Sequence, residues 1–249
     1  MKPFLFLVPA FCLIGLVEIR AAAITLDASR DNTIYSESFA QLSNGQGPFL
    51  YAGRNAQDNL RRTLLRFDLN AIPAGSTITG AKLILSMDRT ISGAFDFSLH
   101  RLLATWGEGA SNAGTPGGNG TAAQTGDATW TLALFPGTAW STSGGTFAST
   151  ASATTSVGAI GSYEWASAQV ISDIQNWVND PTMNFGWLLK GGESALSAKR
   201  FVSAEGVPGA GPSLVITYEP GSIPEPASVA LLSATGAAVL ARRRRSVRR

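Results

Sequence analysis

Thr63-Leu64-Leu65-Arg66-Phe67-Asp68-Leu69 carries the pattern that sets the fold class. In an extended chain Thr63, Leu65, Phe67 and Leu69 fall on one side, and Arg62, Leu64, Arg66 and Asp68 on the other. That is the period of two of a half-buried strand, with Leu64 as its one exception. Ala71-Ile72-Pro73-Ala74-Gly75 then makes a turn, because Pro fixes one backbone angle and Gly frees another. Thr77 to Met87 resumes the alternation, with Ala81, Leu83, Leu85 and Met87 on one face. Phe95 to Leu102 repeats it, Phe95, Phe97, Leu99 and Arg101 opposing Asp96, Ser98, His100 and Leu102. Further strands are expected at Asp31–Tyr35, Phe49–Gly53, Phe185–Lys190, Lys199–Ser203 and Ser213–Tyr218. Short strands punctuated by Gly and Pro turns predict an all-β domain, a jelly-roll-like β-sandwich with one short helix.

The helix is expected between Ser167 and Asp180. Val170, Ile171, Ile174, Trp177 and Val178 recur at the spacing of one helical face, and Pro181 ends the run. Its apolar stripe should cap an open end of the sandwich, with Trp177 beneath it. Residues 104–160 differ again. Glycine-rich segments alternate there with Trp106, Trp130 and Trp140, which reads as a long ordered excursion, since a flexible linker carries no such aromatics.

Both ends of the chain read differently from the middle. Lys2, an apolar run from Phe4 to Val17 and the small residues Ala21-Ala22-Ala23 have the three parts of a secretory signal, residues 1–23, with cleavage expected after Ala23. At the other end Pro224-Glu225-Pro226 precedes the 15 uncharged residues Ala227 to Ala241, and then Arg242-Arg243-Arg244-Arg245-Ser246-Val247-Arg248-Arg249. A helix of that apolar length reaches about 22 Å, enough for a thinned bilayer with the arginines snorkelling. The arginines stay on the cytoplasmic side, which agrees with a signal that exports everything before Pro224. Residues 221–249 are therefore expected to be a sorting segment with a membrane helix, leaving 24–220 as one domain.

Composition fits this division. Charged residues make up 14% of the chain, against about 25% in an average soluble domain. The formal charge of +2 comes from the ends. Between Ile24 and Glu219 there are 11 Lys+Arg and 15 Asp+Glu, a net of −4. No clustered basic face suits nucleic acid. The single cysteine, Cys12, lies in the signal segment, so the exported domain has no disulfide and rests on burial.

Two resemblances follow. The C-terminal triad of Pro224-Glu225-Pro226, apolar stretch and arginine tail resembles the PEP-CTERM sorting signal of Gram-negative bacteria. It implies processing by an exosortase, transient residence in the inner membrane, and a cell that makes exopolysaccharide or biofilm matrix. The middle is similar to the DNRLRE-domain family over nearly all of residues 24–219. The residues that carry this are Asp31-Asn32-Thr33-Ile34-Tyr35, Asp58-Asn59-Leu60-Arg61-Arg62 with the strand that follows it, Trp106-Gly107-Glu108-Gly109, Gly126-Asp127-Ala128-Thr129-Trp130, Asn184-Phe185-Gly186-Trp187 and Arg200-Phe201. That family resembles jelly-roll carbohydrate-binding modules, and implies binding of a polysaccharide, acidic ones such as alginate included, without catalysis.

Sugar binding needs flat aromatic faces and polar groups for hydroxyls or carboxylates. Trp106, Trp130 and Trp140 could supply the first, and Arg62 with Arg66 the second, since arginine holds a carboxylate through two hydrogen bonds. Hard oxygen ligands for a structural Ca2+ could come from Asp27, Asp31 and Glu37, or from Glu108 and Asp127. The only histidine, His100, sits mid-strand, and no nucleophile elbow, phosphate loop or histidine cluster occurs. An enzyme using Tyr163 as base, or Glu108 and Asp127 as a glycosidase pair, is the weakest of three readings. The others are a glycan-binding matrix protein and a purely structural surface protein.

Overall fold

The computed structural model describes residues 20–36 and 41–221. The signal segment up to residue 19, Glu37 and the sorting segment from residue 222 lie outside the described residues. The elements run β1 (Ala22–Tyr35), β2 (Leu42–Ser43), β3 (Phe49–Arg54), β4 (Leu60–Phe67), β5 (Thr77–Thr90), β6 (Phe95–Arg101) and β7 (Thr121–Ala122). They continue with β8 (Leu132–Leu134), β9 (Thr138–Ala139), β10 (Ala153–Val157), β11 (Gly161–Trp165), α1 (Ala168–Asn179), β12 (Trp187–Lys190), β13 (Lys199–Val202) and β14 (Ser213–Glu219).

The strands form two layers, and the long ones are antiparallel throughout. In the first, β5 carries β11 on one edge and β14 on the other, since Leu83 and Ile84 pair with both. β13 extends that second edge at Thr90–Met87, and β14 and β13 are flanked in turn by β1 and β3. The second layer runs β1, β4, β12, β6, β10. β1 belongs to both, its first half pairing with β14 and its second with β4, across a bulge between Ala28 and Arg30. Bulges of this kind turn a strand from one sheet to the next. The expected sandwich is therefore the observed one. Leu65, Phe67, Trp187 and Leu99 of one layer meet Leu83, Leu85, Phe201 and Leu214 of the other in a dry core.

Helix α1 closes one end of that core. Ser167 caps it, its Oγ accepting from Gln169 N and Val170 N. Trp177 is buried against Trp187, ring centroids 4.5 Å apart, edge to face. Gln175 ties the helix to the start of β5 by accepting from Ile78 N and donating to Ser76 O. Asp173, buried at the helix centre, accepts from Trp187 Nε1 and Ser152 Oγ.

A second core explains the exception at Leu64. Leu64, Ile34 and Leu188 point away from the main core into a cluster with Trp106, Ala133 and Trp140. The excursion leaves at Leu102 and returns at Ala148 by hydrogen bonds of Leu103 N to Thr146 O and Ala148 N to Arg101 O. It covers the outer face of the second layer, so β4 is buried on both faces from Arg61 to Leu65. The excursion is shorter than residues 104–160, because Ala153–Val157 is a strand of its own.

At the other extreme, Ala22 and Ala23 pair with Tyr218 and Thr217. A cut after Ala23 therefore trims two residue pairs from the edge of the sheet. No helix among the described residues is long and apolar enough to cross a membrane.

Candidate functional site

Arg66 continues the outer face of β4 beyond the ground covered by the excursion. Its register partner across the β1–β4 ladder is Arg30. Like charges directly opposite on one face are destabilising, and among the described residues neither guanidinium makes a salt bridge. Arg30 donates weakly to Trp106 O at 3.4 Å. Burial, and then the charge of Arg30, push the Arg66 pKa below its ordinary value, with Asp68 acting against both.

The two arginines stand at the rim of a cleft of about 530 Å³ between the end of β4, the turn at Leu69–Ala74 and the end of α1. Leu69, Ile72 and Val178 give it an apolar wall, and Ser29, Asp68 and Asn70 line it with polar groups beside the arginines. Two buried polar atoms on its lining lack a partner, Trp177 Nε1 and Asn184 Oδ1. Trp177 is 2% exposed and Asn184 6%. The Asn184 amide nitrogen is fixed by Phe67 O at 2.9 Å, which leaves its carbonyl as the spare acceptor. Local sequence sets this geometry. Asp180 caps the turn after α1 by accepting from Thr182 N, with Pro181 at its first position. Gly186 then passes β4 at φ +79°, where a Cβ would lie 2.0 Å from Leu65 O. A buried donor and a buried acceptor without partners each carry a desolvation cost. A hydroxyl has the chemistry for either, since it both accepts and donates, and an anion has the charge to pair with the arginines.

The aromatic platform expected from the sequence is not there. Trp106 and Trp140 are 2% and 6% exposed and lie inside the second core, their ring nitrogens donating to Phe185 O and Thr129 O. Neither presents a face to a sugar. Trp130 is half-buried, and its ring is covered by the Arg62 guanidinium at 4.7 Å.

Arg62 and Arg66 do not act as a pair. Leu64 lies between them, and Arg62 is engaged elsewhere, with Glu193 through Nε and Nη2 and with Gly144 O through Nη1. The Asp58-to-Arg62 segment is structural on the same grounds. Asp58, at φ +63°, closes the β3–β4 hairpin with Arg54, and Arg61 donates to Gly118 O.

The acidic candidates divide. Asp27 is exposed on β1, while Asp127 is buried and accepts from Gln124 N and Ser111 N. Asp31 and Glu108, expected in separate sets, meet, with Asp31 N donating to Glu108 Oε1 at 2.8 Å. Glu205, which no sequence pattern singled out, joins them. Burial and the charge of Glu205 raise the Asp31 pKa well above the usual carboxylate range, and burial raises those of Glu108 and Glu205. Among the described residues no three carboxylates or histidines are arranged to hold a metal ion. His100 is 8% exposed, bonded to Ala148 O and Ser98 Oγ, and Tyr163 donates to Ala159 O.

Residues 222–245 match the PEP-CTERM protein-sorting motif. The chain is thus marked for export, for exosortase processing and for anchoring at the surface of a Gram-negative cell. No curated protein matches the chain significantly.

Proposed function

We propose that this exported domain binds acidic polysaccharide of the cell-surface matrix, without catalysis, at the cleft between β4 and α1. The observation that carries the reading is the unpaired Arg30–Arg66 juxtaposition beside the spare donor of Trp177 and the spare acceptor of Asn184. A uronate unit has the matching chemistry, a carboxylate for the arginines and hydroxyls for the other two. The likeness to the DNRLRE-domain family supports the same class of ligand. The carboxylates that could form a hydrolytic pair, Glu108 and Asp127, are occupied by backbone amides.

Titration calorimetry of the purified chain with an oligouronate tests this. Arg66→Ala should weaken binding about tenfold or more, as removal of one charged hydrogen-bonding group of ~1.5–3 kcal/mol requires. Equal affinity of the variant, or equal affinity of the wild type for an uncharged oligosaccharide, overturns it.

A further inference from the structure

A second concavity lies toward the other ends of β4 and β5, lined by Arg61 where the first cleft is lined by Arg66. Thr77, at the start of β5, pairs with Glu219, and Gly221 packs against Gly75, where an added Cβ would sit 2.6 Å from Gly75 O. The chain thus departs for its sorting motif beside the turn that lines the first cleft. Thr90, at the far end of β5, lies 13 residues on, about 43 Å along the strand at ~3.3 Å per residue. There a groove of about 320 Å³ opens between the β3–β4 hairpin, the end of β5 and the Pro116–Asn119 part of the excursion.

The charge of this groove is one-sided. Arg89, Lys199 and Arg200 line it and no carboxylate does, although the domain carries a net of −4. Arg89 is exposed and makes no ion pair among the described residues. Lys199 is 1% exposed, and its ammonium donates to neutral oxygens alone, Thr90 Oγ1 at 2.6 Å, Gly93 O at 2.6 Å, and both oxygens of Ser92. Arg200 is paired with Asp88 through both carboxylate oxygens and stacks on Phe49 at 3.8 Å, which leaves Arg89 as the groove's exposed cation without an ion pair among the described residues. Asn55, Gln57 and Asn119 add side-chain amides suited to hydroxyls.

We propose that this groove is a second site for a carboxylated glycan chain, so that one molecule, held at its tethered pole, bridges two acidic chains. The bridging rests on the reading of the first cleft. The groove itself stands on its own residues. Two sites on a rigid body cross-link long polymers at concentrations where neither alone holds a network.

The test uses the full chain, tetragalacturonate as the short ligand and polygalacturonate as the long one. Wild type should bind two tetramers. Arg89→Glu and Arg66→Glu should each bind one and should each abolish the turbidity that wild type produces with the polymer. Arg89→Ala, with an unchanged near-ultraviolet circular dichroism spectrum, guards against loss of fold. One tetramer per wild-type molecule with Arg89→Glu unaffected overturns the second site and leaves the first intact. One tetramer lost with Arg89→Glu but not with Arg66→Glu supports the groove and overturns the first cleft. No binding by wild type overturns both.

Discussion

Arg62 holds Glu193 by both carboxylate oxygens, Nε to Oε1 at 2.7 Å and Nη2 to Oε2 at 3.0 Å, across 131 residues of sequence. Its third contact is to Gly144 O, and its flat guanidinium covers the Trp130 ring. One side chain thereby fastens the excursion, the β12–β13 loop and β4 together. The side chains of the pair are 10% and 16% exposed, so truncating one strands a charge where water reaches it poorly.

Glu193→Gln should therefore cost about 3 kcal/mol in urea denaturation, and Arg62→Met with Glu193→Leu less than the sum of the single changes. Additive effects in that cycle would show that the two side chains do not act together. Lys190 Nζ, 3.4 Å from Glu193 Oε2, softens the loss only when Arg62 is the residue removed, because Glu193→Gln takes away its partner too.

The tryptophans should rank by burial. Trp106→Ala opens a cavity in the second core and frees the Phe185 carbonyl, at a cost of about 3–5 kcal/mol. Trp130→Ala loses a half-buried ring and a cation–π contact, about 1–2 kcal/mol. Denaturant midpoints measure both. A Trp106→Ala variant of wild-type stability with selectively weakened glycan binding would restore the platform that the structure excludes.

Acidity should stabilise the junction of Asp31, Glu108 and Glu205. The folded-state pKa of Asp31 is raised above its unfolded value, so the folded chain binds the extra proton between the two. That contribution is complete below the unfolded value near 3.8 and is lost as pH rises through the folded value. Glu108 and Glu205 have the same sign. Tm measured from pH 4.5 to 7.5 should fall more steeply for wild type than for Asp31→Asn, and the variant should be the more stable at pH 7.5. Parallel curves for the two proteins would refute the assignment.

Long strands were readable where one face is buried and the other wet, as at Thr77–Met87, because the pleat writes the alternation into the chain. Strand β10, Ala-Thr-Thr-Ser-Val, was not. It is an edge strand that gives only Ala153 and Val157 to the core, too few apolar residues to mark a period. Leu64 was readable as an anomaly but not as a cause, since what it buries lies some forty residues or more away in the excursion. Arg66 is legible in the sequence as a cation on a sheet face. Its partner Arg30 was not, because the bulge after Ala28 sets which β1 residue stands opposite it.

The address and the layer type are local properties of the chain. The sorting motif is a contiguous string read by other proteins, and strand alternation is a local consequence of the pleat. That Trp106 and Trp140 are core, that Arg62 is spent on Glu193, and that Arg30, Arg66, Trp177 and Asn184 share one cleft are properties of the folded chain alone. Those facts depend on register between strands distant in sequence and on which surface the excursion covers. Both are settled by burying the most apolar area over the whole chain, and no window of neighbouring residues contains that sum.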